Sequence, residues 1–143
     1  MNTIMNSANE TEVKSRIRAY VEHAVTTALT GYSSNISIAV NITKPQKGLY
    51  INDKQVLRFR LLKSNPIIII KNIEVDATIV GGGIVDRVEF SLDGVLKATD
   101  TSAPYSWLWD EKTPFKPRHT LTVTVYDTQG YHTNRELTVL KFF

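Results

Sequence analysis

The segment from Ile84 to Asp100 constrains the fold most, because it joins a strand pattern directly to a tight turn. Val88, Phe90 and Leu92 alternate with polar residues, and this two-residue period is that of a strand with one buried face. The Asp93–Gly94 dipeptide follows at once. It favours a hairpin because both of its positions tolerate positive φ. We therefore expect a β-hairpin here, within an antiparallel sheet.

The same alternation recurs along much of the chain and predicts a mainly β protein. Regular short strands with turns every eight to twelve residues or so are typical of a β-sandwich. Five or six strands are expected between Ile73 and Phe143. Four consecutive isoleucines at Ile67–Ile70 predict either burial on both faces or an edge strand that must be covered. Residues Ile67–Val80 are predicted to form either two short strands or one bent strand. The other predicted strands are Ile36–Ile42, Gln55–Leu62, Ile73–Val80, Tyr105–Trp109, His119–Asp127 and Tyr131–Phe143.

An amphipathic helix is predicted over residues 7–30. Ser7 followed by Glu10 fits a capping box, and Gly31 suits a C-terminal cap. Apolar residues recur at three- and four-residue spacing, so the helix has one apolar face that must pack on something: the sandwich, another copy of the chain or an adjoining module. We expect assembly with another copy or an adjoining module, through Val13, Ile17, Tyr20, Ala24 and Ala28.

The composition is that of an ordinary globular protein of about one domain. The chain has 143 residues, of which 42% are apolar and 22% charged, enough to bury a core. It has no apolar run long enough to span a membrane. The start, Met1–Asn6, lacks the basic and apolar regions of a secretory signal. We divide the chain into a helix and linker, residues 1–35, and a sandwich, residues 36–143.

Charge is unevenly distributed. Residues 36–72 carry seven basic side chains against Asp53 alone, whereas residues 73–143 carry seven basic and ten acidic ones. The basic segment could attract an anionic partner, whether nucleic acid, an acidic glycan or a membrane surface. We favour a solvated strand face with loop lysines, and no nucleic-acid partner, because the segment contains no recognised nucleic-acid-binding motif.

The polar side chains give no pattern of a catalytic or metal site. The aspartates fit no calcium loop, and Asp93 and Asp127 lie beside turn glycines, where an aspartate bonds to its own backbone. The histidines are too scattered to form a ligand pair, and no serine lies in a nucleophile elbow. Gly81–Gly83 is followed by neither a helix nor a phosphate-binding lysine, so it is interpreted as a turn. The chain also has no cysteine. We expect no catalytic residue, metal or cofactor. The residues weighed are Asp76, Asp86, Asp93, Asp100, Asp110, Asp127, His23, His119, His132, Ser91, Ser102 and Ser106.

Tyr105, Trp107 and Trp109 fall on one face of a predicted strand. Such a row can stack on sugar rings, which would make the domain a carbohydrate-binding module. It can equally fill the core, where large aromatic side chains bury the most apolar area. We favour the core, since Ser106, Leu108 and Asp110 would make the better solvent face.

The order of these segments resembles the immunoglobulin-like modules that occur in tandem on bacterial and archaeal secreted and cell-surface proteins. The resemblance covers about residues 38 to 142. It rests on the segments Ile42–Pro45, Gly48–Ile51, Ile73–Ala77, Val85–Phe90, Leu92–Asp100, Ala103–Trp107, Trp109–Asp110, His119–Val123 and Tyr126–Gly130.

This resemblance implies an immunoglobulin-like antiparallel β-sandwich of Greek-key topology, and a non-catalytic structural or adhesive role outside the cell or on its surface. Three features depart from the family pattern: Tyr131 in place of an asparagine, a long insertion at Lys54–Asn65, and the helix at residues 7–30. The added helix suggests a specific docking role.

Overall fold

The computed structural model describes residues 37–60 and 63–143. The helix predicted over residues 7–30 lies outside these described residues. Residues Ile38–Phe143 form one compact unit built from β-strands. Within the described part of the chain, no helix is long and apolar enough to cross a membrane.

Ten strands are described, and they lie in two sheets. Their bounds are β1 Ala39–Lys44, β2 Gly48–Ile51, β3 Lys54–Leu57, β4 Ile67–Ile70, β5 Ile73–Val80, β6 Val85–Leu92, β7 Val95–Asp100, β8 Tyr105–Trp109, β9 Arg118–Asp127 and β10 His132–Phe142.

The smaller sheet has three strands in the order β1-β5-β8, and both of its pairings are antiparallel. β5 is the central strand. Its residues Ile73, Val75 and Ala77 alternate with polar ones and are buried, as the two-residue period predicts.

The larger sheet has seven strands in the order β3-β2-β4-β10-β9-β6-β7. It corrects the expectation of a purely antiparallel sandwich, because β4 pairs parallel with both β2 and β10. The four isoleucines of β4 therefore lie inside a sheet, and the edge-strand alternative is wrong. The sequence pattern of β4 could not reveal this parallel pairing, since the sequence of one strand does not indicate which strands lie beside it.

The core lies between the two sheets and draws buried residues from both. β6 and β9 contribute alternate residues of the larger sheet, and β5 contributes those of the smaller. The fully buried apolar residues, with no exposed surface, are Ile69, Ile73, Val75, Val88, Phe90, Trp109, Leu121, Val123, Val125 and Val139.

The predicted hairpin is confirmed. Leu92 pairs with Val95, and Asp93 and Gly94 have φ values of 50° and 82°, as a tight two-residue turn requires. Six strands lie between Ile73 and Phe143, in agreement with the prediction of five or six strands there. The short strand β2 was not predicted, because Gly48 interrupts the pattern at its first residue.

Candidate functional site

The aromatic row of β8 lies at the border of the core. Trp109 has no exposed surface and stacks on Trp107, with ring centroids 6.0 Å apart. Trp107 and Tyr105 are half-buried and pack against the core, whereas Leu108 on the opposite face is exposed. The interpretation that places this row in the core is confirmed for Trp109. Its ring is therefore not available to stack on a sugar from solvent.

A polar cluster extends from the buried ring of His119, beside Trp109, to Asp93 and Lys116 at the surface. The His119 ring meets the Trp109 ring edge-on, with centroids 5.4 Å apart, and His119 Nδ1 lies 2.8 Å from Asp93 Oδ2. Asp93 Oδ1 accepts a hydrogen bond from the Thr120 N–H at 2.9 Å, and Lys116 Nζ lies 3.3 Å from Oδ2. The Thr120 N–H, together with His119 and Lys116, lowers the pKa of Asp93 to about 2.

This Asp–His pair resembles part of a catalytic triad, but its geometry is structural. The ionised carboxylate can only accept, so His119 Nδ1 carries the hydrogen. The other ring nitrogen, Nε2, is buried and has no hydrogen-bond partner among the described residues. A general base must reach the proton it removes, and this atom has no path to a substrate.

Lys141 is a buried cation in the same region, with no exposed surface. Its Nζ donates hydrogen bonds to the main-chain oxygens of Glu111 and Phe143 at 2.6 and 3.0 Å, and lies 5.2 Å from the centre of the Trp109 ring. Burial lowers the pKa of Lys141, while the nearby acidic groups act in the opposite direction. Its hydrogen bond to the Glu111 oxygen links β10 to the loop after β8.

Other acidic side chains hold turns. Asp127 Oδ1 accepts hydrogen bonds from the N–H groups of Gln129 and Tyr131, and Asp100 accepts from the N–H groups of Ser102 and Ser106. Across residues 37–60 and 63–143, no group of three or more histidine, aspartate and glutamate side chains has the arrangement of a metal site.

A stacked column lies on the other face of the larger sheet. The Tyr126 and His132 rings stack with centroids 5.3 Å apart, and the Arg87 guanidinium lies 3.9 Å above the Tyr126 ring. Arg87 is also paired with Asp86 and Glu89, at 2.6 and 2.7 Å. The charge of this cation is therefore already compensated within the column.

Two cavities lie beside the segment Ser64–Ile67. The first has a volume of about 480 Å³ and includes Lys47 and Arg135 in its lining. The second has a volume of about 350 Å³ and includes Arg118. Asn65, Ile67 and Thr138 line both cavities. Their arginines lie on opposite faces of the larger sheet, because Arg135 is in the core-facing row of β10 whereas Arg118 pairs with Leu140 in the other row.

Both cavities have basic side chains in their lining. Lys47 and Arg135 line the first, Arg118 lines the second, and no acidic side chain lines either. Asn65 Oδ1 is buried there without a hydrogen-bond partner among the described residues. The sequence placed Lys47 in a basic segment but gave no reason to group it with the two arginines, which belong to the acidic half of the chain.

The assembly residues predicted on the helix, Val13, Ile17, Tyr20, Ala24 and Ala28, lie outside the described residues. The structure therefore gives no position for them, and their role stays a prediction.

Comparison with known proteins defines the class of this fold. Residues 39–125 match the family described as bacterial Ig domain, and the chain belongs to that family. Among solved structures, it is similar to the fibronectin(III)-like modules of Clostridium thermocellum CbhA, with a TM-score of 0.53 and 19% sequence identity. That match covers 75% of this chain and 47% of the other, so this chain spans about half the length of its structural relative. No curated protein sequence matches the chain.

Proposed function

We propose that this chain is a non-catalytic structural or adhesive module of an extracellular or cell-surface protein. The observation that carries the proposal is a core filled from both sheets, with the Asp93–His119 pair fixed at its margin: His119 is buried, and Asp93 accepts the Thr120 N–H of β9. Such a sandwich acts mechanically, by holding the adjoining parts of the protein at a fixed spacing. Immunoglobulin-like modules of bacteria commonly have this role and this location, and domains of this kind are typically not enzymes.

The carboxylates support the same conclusion. Asp100 and Asp127 accept main-chain N–H groups of their own turns. Asp93 was expected to do the same but instead accepts the N–H of Thr120 in β9. A carboxylate used in this way fixes a loop and is poorly placed to exchange protons with a substrate. Carbohydrate binding by Tyr105, Trp107 and Trp109 is the alternative function, and it gains no support from a row whose last ring is fully buried.

The second part of the proposal concerns residues 1–35. The apolar stripe predicted on residues 7–30 would join the module to another copy or to an adjoining module, because a lone amphipathic helix of this length is marginal in water. Small side chains such as Ala24 and Ala28 suit the close approach of another surface.

Deletion of residues 1–34 tests this assembly. We expect the full chain to form oligomers at micromolar concentration and the truncated chain to be a folded monomer, as measured by light scattering. Ile17→Lys should reduce assembly, whereas the matched control Ser15→Lys, which adds the same charge away from the stripe, should not. A full chain that is already monomeric, and that loses several kcal/mol of stability on truncation, would show that the segment belongs to its own domain's core.

A further inference from the structure

The outer face of the larger sheet carries a contiguous apolar surface at one end. The register sets two rows of side chains across β2, β4 and β10, with one residue from each strand in each row. The residues between these rows, Tyr50, Ile69 and Lys141, are buried on the opposite side, so the two rows point away from the core. We call these six residues the outer apolar face: Leu49, Ile68 and Leu140 in the first row, and Ile51, Ile70 and Phe142 in the second.

The outer apolar face is open to solvent. Ile51 and Phe142 are 38% and 39% exposed, and the other four residues are half-buried. None of the ten described strands covers them, since the smaller sheet packs against the opposite side of the larger one. Leu57 pairs with Leu49 and extends the first row to the edge strand β3. A contiguous apolar surface of this kind marks an interaction site.

Two cations lie at the border of the outer apolar face. Lys54 pairs with Ile51 at the β3 end of the second row, and Arg118 pairs with Leu140 at the β9 end of the first. Both side chains are exposed. If two copies packed with these faces together, like charges would share one interface, which is unfavourable. The cations therefore favour a partner that combines apolar side chains with an acidic one.

The stripe predicted on residues 7–30 has this combination. Val13, Ile17 and Tyr20 supply apolar side chains, and Glu10 continues the same spacing at the N-terminal end of the stripe. A helix is about 10 Å across with its side chains. The outer apolar face is also about 10 Å wide across its three strands, since neighbouring strands lie about 4.8 Å apart.

We propose that the outer apolar face is the docking surface for the residue 7–30 stripe of another copy, with Lys54 and Arg118 attracting Glu10. This inference rests on the proposed function, which assigns assembly to the stripe, and it adds the surface that receives the stripe. The contact is heterologous, because the two copies contribute different surfaces. Such a contact either closes into a ring or leaves an unused face at one end and an unused stripe at the other.

Complementation between two defective full chains tests the proposal, with light scattering as the measurement. The stripe variant is Ile17→Lys, which keeps its face. The face variant carries Ile51→Lys and Phe142→Lys, and keeps its stripe. Each should be monomeric alone at micromolar concentration, because one half of every contact is missing. Mixed in equal amounts, they should form a complex of two chains and nothing larger, because the mixture holds one working stripe and one working face per pair.

A matched control carries Val95→Lys and Leu108→Lys, at two exposed apolar residues outside the outer apolar face. It gains the same charge as the face variant. We expect the face variant to raise the Kd of assembly at least about thirtyfold and the control less than about threefold, because only the first removes apolar side chains from the contact. Circular dichroism and thermal unfolding show whether each variant is folded. If the face variant is not, Phe142→Thr is the milder substitution, and it should raise Kd about fivefold.

The outcomes separate this inference from the assembly on which it rests. If the face variant assembles like the wild-type chain and Ile17→Lys does not, the stripe mediates assembly but docks elsewhere, and only the inference is overturned. The same holds if both variants are monomeric and form no complex on mixing. If Ile17→Lys assembles like the wild-type chain, or if the wild-type chain is itself monomeric, the proposed assembly and the inference are both wrong.

Discussion

At the scale of single residues, Gly48 is the position where the backbone leaves no room for a side chain. Its φ is 148°, and a Cβ atom there would lie 2.2 Å from the Leu57 carbonyl oxygen and 2.7 Å from Gln55 Nε2. The carbonyl belongs to the neighbouring strand and cannot rotate away. We predict that Gly48→Ala lowers the free energy of unfolding by at least about 2 kcal/mol, as measured by urea denaturation.

Gly130→Ala is the matched control. Gly130 also has a positive φ, 92°, but nothing lies within 4 Å of the place where its Cβ would be. This substitution should cost only the backbone strain, about 1 kcal/mol. Equal losses at the two positions would show that the close approach of β2 and β3 does not limit residue 48.

Asp93 should give the domain part of its resistance to acid. Its pKa in the folded state is about 2, against an ordinary value of 3.8. A lowered pKa stabilises the fold above the unfolded value, and that contribution disappears as the pH falls from 3.8 towards 2. We predict that Asp93→Asn costs roughly 1 to 2 kcal/mol near neutral pH, after allowance for the partial exposure of the carboxylate.

The pH profile gives the sharper test of Asp93. Urea unfolding between about pH 5 and about pH 2 should show a steeper loss of stability in the wild-type protein than in Asp93→Asn. Glu136→Gln removes an exposed carboxylate on β10 and should leave the wild-type slope intact. If Asp93→Asn follows the wild-type profile throughout, the carboxylate does not have the lowered pKa described above.

Asp93 and His119 show which features of single residues could be predicted from the sequence and which could not. The turn at Asp93 was predictable because Asp–Gly is a local signal. The contact of Asp93 with His119 was not, because it depends on how β6 and β9 pair. A structural role for His119 was nevertheless expected from its place at the start of a strand. Lys47 and Arg135 could not be grouped for a similar reason: they line the same cavity only because β1 lies over β10.

At the scale of strands, β8 offers two tryptophans with different surroundings. Trp109 is fully buried, whereas Trp107 is half-buried. We predict that Trp107→Phe, which leaves Trp109 as the fluorophore, gives blue-shifted emission that acrylamide quenches poorly. Trp109→Phe should give redder, more quenchable emission and cost roughly 2 kcal/mol of stability, because it leaves a gap beside His119.

The comparison of the two variants decides the role of this strand. Strongly quenchable emission from Trp109 in the Trp107→Phe protein would mean that the aromatic row faces solvent, and it would favour the carbohydrate-binding alternative. Unchanged stability in Trp109→Phe would show that the ring is not part of the packed core.

Strand positions were largely predictable, but strand partners were not. β5, β6 and β9 follow the alternation of their apolar residues closely, because one face of each meets the core. The parallel position of β4 between β2 and β10 gave no local signal. Four isoleucines in a row indicated burial, and Ile67 and Ile69 are buried whereas Ile68 and Ile70 are half-buried, but nothing in Ile67–Ile70 says which strands flank β4.

At the scale of the whole molecule, the predicted sandwich is confirmed. The division of its strands into a sheet of three and a sheet of seven was not predicted. The smaller sheet is too narrow to match the larger one strand for strand. β1 lies over β10, so the strands beyond it, β4, β2 and β3, extend the larger sheet on that side. The cavity lined by Lys47 and Arg135 lies between β1 and β10 at this mismatch.

The central place of β10 has a consequence for how the domain is made. β10 is the last strand along the chain, yet it joins the half-sheet β3-β2-β4 to the half-sheet β9-β6-β7. Until it has been synthesised, β4 and β9 each present an open edge on which a foreign strand could pair. Because pairing between distant segments is slow, we expect the domain to fold only after β10 has been synthesised. The open edges should be covered, and the risk of misassembly should end, only when Leu140 of β10 pairs with Ile68 of β4.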